Sequence, residues 1–273
     1  KGVLIPVAKP APSASASAAP SASPTPKASV APAVVYPKGP TSFDDLIENY
    51  QGISYAAWSK SSAAIKASTS QSPSFKAATG PNTKLSYPTP AVAFDLVKRM
   101  YGDYDSSPDF TVLSFGYADR MWAQEQMKAI QPSSTYQWIT DMACATKDTC
   151  WGGGMFTDSQ GKGLLVLTTE VIDDNHTTGT LEAHEYTHNL QQAPSVGTRS
   201  NWAHVPRWYT EGGATFSQAA SIYYATYNSY RIERDLRTQD LAKGTWMTQD
   251  WLEEFINPPG WSDWSPWDKY SGW

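Results

Sequence analysis

The sequence predicts an α+β fold: a small mixed β-sheet packed on one polar-faced helix and followed by a mainly helical C-terminal part. Short β-prone runs at Phe110–Phe115 and Leu164–Leu167 alternate with stretches whose apolar residues recur at helical spacing. From Thr180 to Gln192, Ala183, Tyr186, Leu190 and the following Ala193 form one apolar stripe, roughly opposite His184 and His188. Beyond Pro206, a residue suited to a first helical turn, a second helix is expected to run through Tyr230.

The ends of the chain differ from this middle. Ala8 to Ala33 is almost entirely Ala, Pro and Ser, with Val30 its one larger apolar residue, and cannot bury a core. Residues 1–40 therefore read as a disordered tether or an inert tail, able to reach about 80 Å if polyproline-like. Residues 41–273 read as one folded domain. Its last stretch, 244–273, holds six of the twelve tryptophans, Trp246, Trp251, Trp261, Trp264, Trp267 and Trp273. These suit either an irregular tail wrapped over the domain or an exposed platform for sugar rings or peptides. The oligomeric state is open.

Charge and cysteines bound the environment. The formal net charge is −5, and the 21 Lys and Arg residues are scattered without a basic run, which argues against nucleic acid as a partner. No stretch is long and apolar enough to span a bilayer, since Val3 to Val7 is interrupted by Pro6. The chain opens on Lys1 with no signal peptide, as expected of a mature or truncated form. Cys144 and Cys150 bracket a short polar loop and lack the second nearby pair of a structural zinc site, which favours a disulfide over two thiolate ligands. A disulfide fits an oxidising compartment, so an extracellular or cell-surface tethered protein is expected, with a membrane or cell-wall tether possible through the N-terminal segment.

Within the domain, Ser42 followed by Asp44 and Asp45 predicts a capped helix start. A second helix is expected over Ile53–Lys66, loop over Ser68–Pro90, and helix over Ala91–Tyr101, where Val92, Phe94, Leu96, Val97 and Met100 recur. A strand at Phe110–Phe115, a helix at Ala118–Ile130 and a strand at Tyr136–Thr140 follow. Trp151-Gly152-Gly153-Gly154-Met155 and Leu164–Leu167 then flank a polar turn as a hairpin candidate. The glycines fit either a flexible turn or a strand edge that another strand could approach.

The chemistry concentrates in His184-Glu185-Tyr186-Thr187-His188. Four residues advance a helix by about one turn plus 40°, so the two imidazoles project side by side toward one ion. Glu185 sits about 100° from His184, too strained to be a third ligand from that turn but placed beside the ion for general-base work. Thr177, Thr178 or Thr180 can cap this helix and Pro194 can close it. A catalytic zinc takes three protein ligands, and Glu211 in Trp208-Tyr209-Thr210-Glu211-Gly212-Gly213-Ala214 is the strongest candidate for the third. Gly212 and Gly213 each cost about 1 kcal/mol in a helix interior, which a close approach to the histidine helix could offset.

Together these residues resemble the gluzincin superfamily of zinc metallopeptidases, in which His-Glu-x-x-His on one helix is completed by a glutamate on the next. Trp208-Tyr209-Thr210-Glu211-Gly212-Gly213-Ala214-Thr215-Phe216 resembles a Trp-Leu-x-Glu-Gly-x-Ala-x-Tyr pattern of the aminopeptidase N group. The resemblance covers Leu181 to Phe216. It implies a zincin-like fold, one zinc ion per chain held by His184, His188 and Glu211, Glu185 as the base, and a peptide or protein substrate. The segment Trp151–Met155 lies where that group has a Gly-x-Met-Glu-Asn strand but lacks its glutamate, so an endopeptidase is expected. His204 and Tyr209 are candidates for a transition-state donor, against ordinary structural roles, and Thr215 for a buttress behind a ligand, against a bystander. Phe216, Tyr223, Tyr227 and Tyr230 read as core. The competing expectation is a catalytically weak binding module that holds a wall polymer or glycan through its tryptophan-rich surface.

Overall fold

The computed structural model describes residues 35–102, 110–131, 134–150, 152–157, 162–170, 174–193 and 207–238. The tether through residue 34, Pro194, His204 and the tryptophan-rich tail lie outside the described residues. The compact unit begins at Tyr36, whose ring stacks on Tyr55 at 4.3 Å and meets Tyr227 edge-on at 4.9 Å.

The architecture is α+β. Four strands, β1 (Phe75–Thr79), β2 (Phe110–Phe115), β3 (Gly153–Thr157) and β4 (Gly163–Thr168), form one mixed sheet in the order β1-β2-β4-β3. β1, β2 and β4 are parallel, and β3 pairs antiparallel with β4, opposing Gly153 to Leu167 and Met155 to Leu165. The hairpin is therefore real, and its glycines belong to an edge strand. The helices are α1 (Leu46–Asn49), α2 (Ile53–Ala67), α3 (Pro90–Tyr101), α4 (Arg120–Ile130), α5 (Asp174–Thr178), α6 (Thr180–Gln192), α7 (Arg207–Ile222) and α8 (Tyr227–Thr238). Among the described residues no helix is long and apolar enough to cross a membrane.

Alternation along β2 and β4 builds a core on each face of the sheet. Phe110, Val112, Leu165 and Leu167 pack against Ala93, Phe94 and Val97 of α3 and Ala183, Tyr186 and Leu190 of α6. Leu113, Phe115, Leu164 and Val166 face Ala123 and Met127 of α4, together with Ile139 and the Cys144–Cys150 disulfide. Ala183, Tyr186 and Leu190 of the α6 stripe are thus used in packing, with Ala193 half-buried at its end, which fixes where the opposite face points. A third cluster joins α2, α7 and α8 through Trp58, Phe216, Ala219, Ala220, Tyr223, Tyr227 and Tyr230.

Several elements differ from expectation. Segment 68–90 contains β1, whose Phe75 stacks on Phe110 at 5.5 Å while most of the strand is exposed. Tyr136–Thr140 is not a strand: a 3₁₀ turn at 134–137 is followed by a π turn over Ile139–Ala143, and Ile139 and Ala143 share one buried face. The helix after Pro206 does not continue to Tyr230. It ends at Ile222, where Ser62 Oγ donates to the Tyr224 carbonyl at 2.8 Å, and Thr226 Oγ1 accepts the Ser229 N–H to start α8. At α1, Asp45 replaces Ser42 as the organising residue, its carboxylate accepting the N–H groups of Thr41 and Ser42 at 2.9 Å.

Candidate metal centre

α6 starts at Gly179, not at a threonine cap: Gly179 has φ +88°, and a Cβ there would lie 2.7 Å from the Tyr87 ring. With Tyr186 and Leu190 buried against the sheet, the helix turns His184 and His188 toward α7. Their rings meet edge to face with centroids 4.8 Å apart, and their Nε2 atoms are 3.2 Å apart. α7 brings in Glu211, whose Oε2 lies 3.3 Å from each Nε2. A tetrahedral ion with bonds of about 2.0–2.1 Å separates neighbouring ligand atoms by about 3.3–3.4 Å. The near-equilateral triangle matches three corners of such a site, so His184, His188 and Glu211 can hold a metal ion.

The far sides of the imidazoles are fixed as well. His184 Nδ1 is 2.8 Å from Gln218 Oε1, and His188 Nδ1 is 2.9 Å from Gln191 Oε1. An amide oxygen only accepts, so each Nδ1 carries a hydrogen, which leaves each Nε2 facing the triangle as the atom that would ligate a metal ion. Gln191 also donates from Nε2 to the Thr210 carbonyl at 2.9 Å, tying α6 to the residue before Glu211. Gly213 permits that bridge: a Cβ on it would stand 2.8 Å from Gln191 Nε2. The expected close approach of the two helices is thereby located at Gly213.

Charge balance in the metal-free protein follows from burial. For His188 burial opposes protonation, but the Glu211 carboxylate and its hydrogen bond outweigh it, with help from Glu185 and Gln191, and push the imidazole up to about 9. Burial also opposes ionisation of Glu211, yet His188 and His184 hold its carboxyl far below the usual carboxylate range. A proton on His188 thus partly takes the place of the cation that this donor set suits. Glu185, buried beside them, is raised by burial, partly offset by the two histidines and reinforced by Glu211. Glu182, which the sequence did not single out, is raised to about 8 by burial, against its own backbone N–H and with Glu185 adding repulsion.

Glu185 also touches the sheet edge. A Cβ on Gly153 would fall 2.9 Å from Glu185 Cγ and 3.0 Å from its Oε1, so only glycine lets β3 run this close to the carboxylate. Of the other candidates, Tyr209 lies beside the centre in sequence but its side chain is half exposed, and its carbonyl faces Gln191 Nε2 at 3.3 Å. Thr215 makes no hydrogen bond to His184, His188 or Glu211 among the described residues; Gln218, one turn further on, meets His184 instead. Spacing alone could have suggested Gln191, three residues after His188 on the same face, but nothing local marks Gln218. Comparison with protein families, with curated proteins and with solved structures returned no match to this chain.

Proposed function

We propose that this protein is a zinc-dependent peptide hydrolase of zincin-like fold, most simply an endopeptidase related to the gluzincins. The observation that carries the reading is the 3.2–3.3 Å triangle of His184 Nε2, His188 Nε2 and Glu211 Oε2 with the Glu185 carboxylate beside it. Two neutral imidazoles and one carboxylate are a donor set that suits zinc and leaves a fourth position open. A bound zinc supplies Lewis acidity, polarising a carbonyl and acidifying water near neutral pH. Glu185 takes a proton from the attacking water on its carboxylate and returns it to the departing amine nitrogen. Its burial favours the proton-carrying form, which helps the second transfer.

The sheet edge supports a peptide as substrate. Gly152 O accepts the Thr168 N–H at 3.1 Å, so by alternation Gly154 also faces β4, while the N–H and C=O groups of Gly153 and Met155 face the side of β3 that pairs with no strand among the described residues. An extended chain can pair there, directly beside Glu185. The strand Gly153-Gly154-Met155-Phe156-Thr157 carries no acid to hold a free amino terminus, which favours internal cleavage. The disulfide is compatible with an extracellular or surface-tethered protein.

Metal content and cleavage of an unstructured protein, measured together for wild type and Glu185→Gln, test the reading. About one zinc per chain is expected in both, with cleavage lost in the variant and on chelation. A zinc-replete wild type that is inert on diverse peptide libraries would sink it.

A further inference from the structure

We propose that His176 is a positioning residue that anchors the substrate-pairing edge of the sheet; the role in substrate binding rests on the peptidase reading above. The register that opposes Gly153 to Leu167 places Gly152 opposite Thr168. Thr168 addresses the Gly152 carbonyl twice, with its N–H at 3.1 Å and its Oγ1 at 2.9 Å. In such a hydrogen-bonded antiparallel pair the return bond runs from the opposing N–H to the backbone carbonyl. Here the Gly152 N–H instead donates to His176 Nε2 at 3.3 Å. An imidazole from α5 therefore takes the place of a ladder partner at the first residue of the edge.

Burial makes these bonds count. His176 is 4% exposed and Thr168 1%, so both partners of the half-buried Gly152 are shielded from water. Gly152 itself has φ +89°, with open space around a Cβ, so it is glycine for its backbone turn and not for want of room. The next residue, Gly153, is the one pressed against Glu185. Holding Gly152 on both its donor and its acceptor side thus sets where the open groups of Gly153 stand relative to the Glu185 carboxylate. His176 does this from outside the metal triangle, which consists of His184, His188 and Glu211. Losing the anchor should loosen peptide pairing while leaving metal binding and the proton transfer on Glu185 in place.

His176→Leu removes the acceptor, and His176→Gln returns one in a similar position. The zinc-loaded proteins are compared for kcat and KM on one peptide, for zinc affinity, and for hydrogen exchange at the Gly152 amide. In His176→Leu, KM is expected to rise about 2- to 12-fold, the worth of one neutral hydrogen bond. kcat should stay within about twofold, zinc affinity should hold and Gly152 exchange should speed up, with His176→Gln recovering most of the difference. Thr168→Val, which removes only the Oγ1 bond, should move KM in the same direction and carries the test if His176→Leu does not fold. Wild-type KM and Gly152 exchange in His176→Leu overturn the proposal, as does a zinc affinity that falls in step with the rise in KM. The two readings fail separately: a zinc-loaded wild type that cleaves no peptide overturns the peptidase reading, whereas unchanged Gly152 exchange overturns the anchor.

Discussion

Gln191 stands at the junction of the two halves of the candidate metal centre, accepting from His188 Nδ1 and donating to the carbonyl before Glu211. Replacing such an outer partner of a ligand histidine typically weakens metal binding by about 10- to 100-fold. Gln191→Leu is expected to fall in that range by chelator-competition titration. Gly213→Ala sets two effects against each other. Alanine gains about 1 kcal/mol of helix propensity, but its Cβ would sit 2.8 Å from Gln191 Nε2, the far end of a flexible side chain that can swing away. The metal-free variant should therefore melt no lower than wild type while binding zinc about tenfold more weakly; unchanged affinity would show that the bridge to Thr210 does not matter. The three residues of the triangle were legible because His184 and His188 lie one turn apart on one helix and Glu211 sits in a recognisable stretch. Gln218 was not, because it is 34 residues from His184 and is brought there only by the packing of α7 on α6. An amide in a helix has no spacing rule that announces a partner on another element.

At the scale of elements, Asp119 joins the end of β1 to the start of α4. It is 2% exposed and accepts from the Asn82 backbone N–H at 2.8 Å, the Asn82 side chain at 2.9 Å and Thr83 Oγ1 at 2.6 Å. Burial opposes its charge, but the Thr83 and Asn82 bonds together hold its carboxyl below the ordinary value of 3.8. A depressed folded pKa means that the unfolded chain takes up the proton first. The stability this residue contributes is therefore complete above the unfolded value and is lost as pH falls through the folded one. Asp119→Ala should cost about 3 kcal/mol near neutral pH, and the gap between the urea midpoints of variant and wild type should narrow as pH falls through and below the ordinary carboxylate value. A gap that stays constant with pH would assign the cost to packing instead. The same region shows why β1 was hidden in the sequence: only Phe75 and Ala78 of its five residues are less than exposed, and its composition matches the surrounding loop. Phe110–Phe115 and the β3–β4 hairpin were legible because long-range pairing there coincides with a strong local apolar pattern. At Tyr136–Thr140 aromatic and β-branched residues suggested a strand, yet burial falls on Ile139 and Ala143, four apart, which is the spacing of a turn of helix.

For the whole molecule, the sheet separates two structural tasks. The metal helix packs on one face, while α4 and the Cys144–Cys150 bridge pack on the other, with both cysteine side chains fully buried. Closing a ring between residues six apart should contribute about 2 kcal/mol through the unfolded chain. On the zinc reading proposed above, zinc at about 1,000 times its Kd should add about 4 kcal/mol, because it would bind the folded triangle and no preformed site exists in the unfolded chain. For a domain of this size each kcal/mol moves the melting temperature by about 2–4 °C. The chelator-induced drop should then be about 8–16 °C, and that from Cys144→Ser with Cys150→Ser about 4–8 °C. Since the two sites share no partner among the described residues and lie across the sheet, their effects should add within about 0.5 kcal/mol. A thermal-melt cycle over wild type and double variant, each with zinc and with chelator, measures this directly. Equal zinc shifts in both proteins mean that the scaffold behind the sheet only has to fold; a shift that shrinks when the disulfide is absent means that α4 and its bridge also set the geometry of the metal triangle through β4.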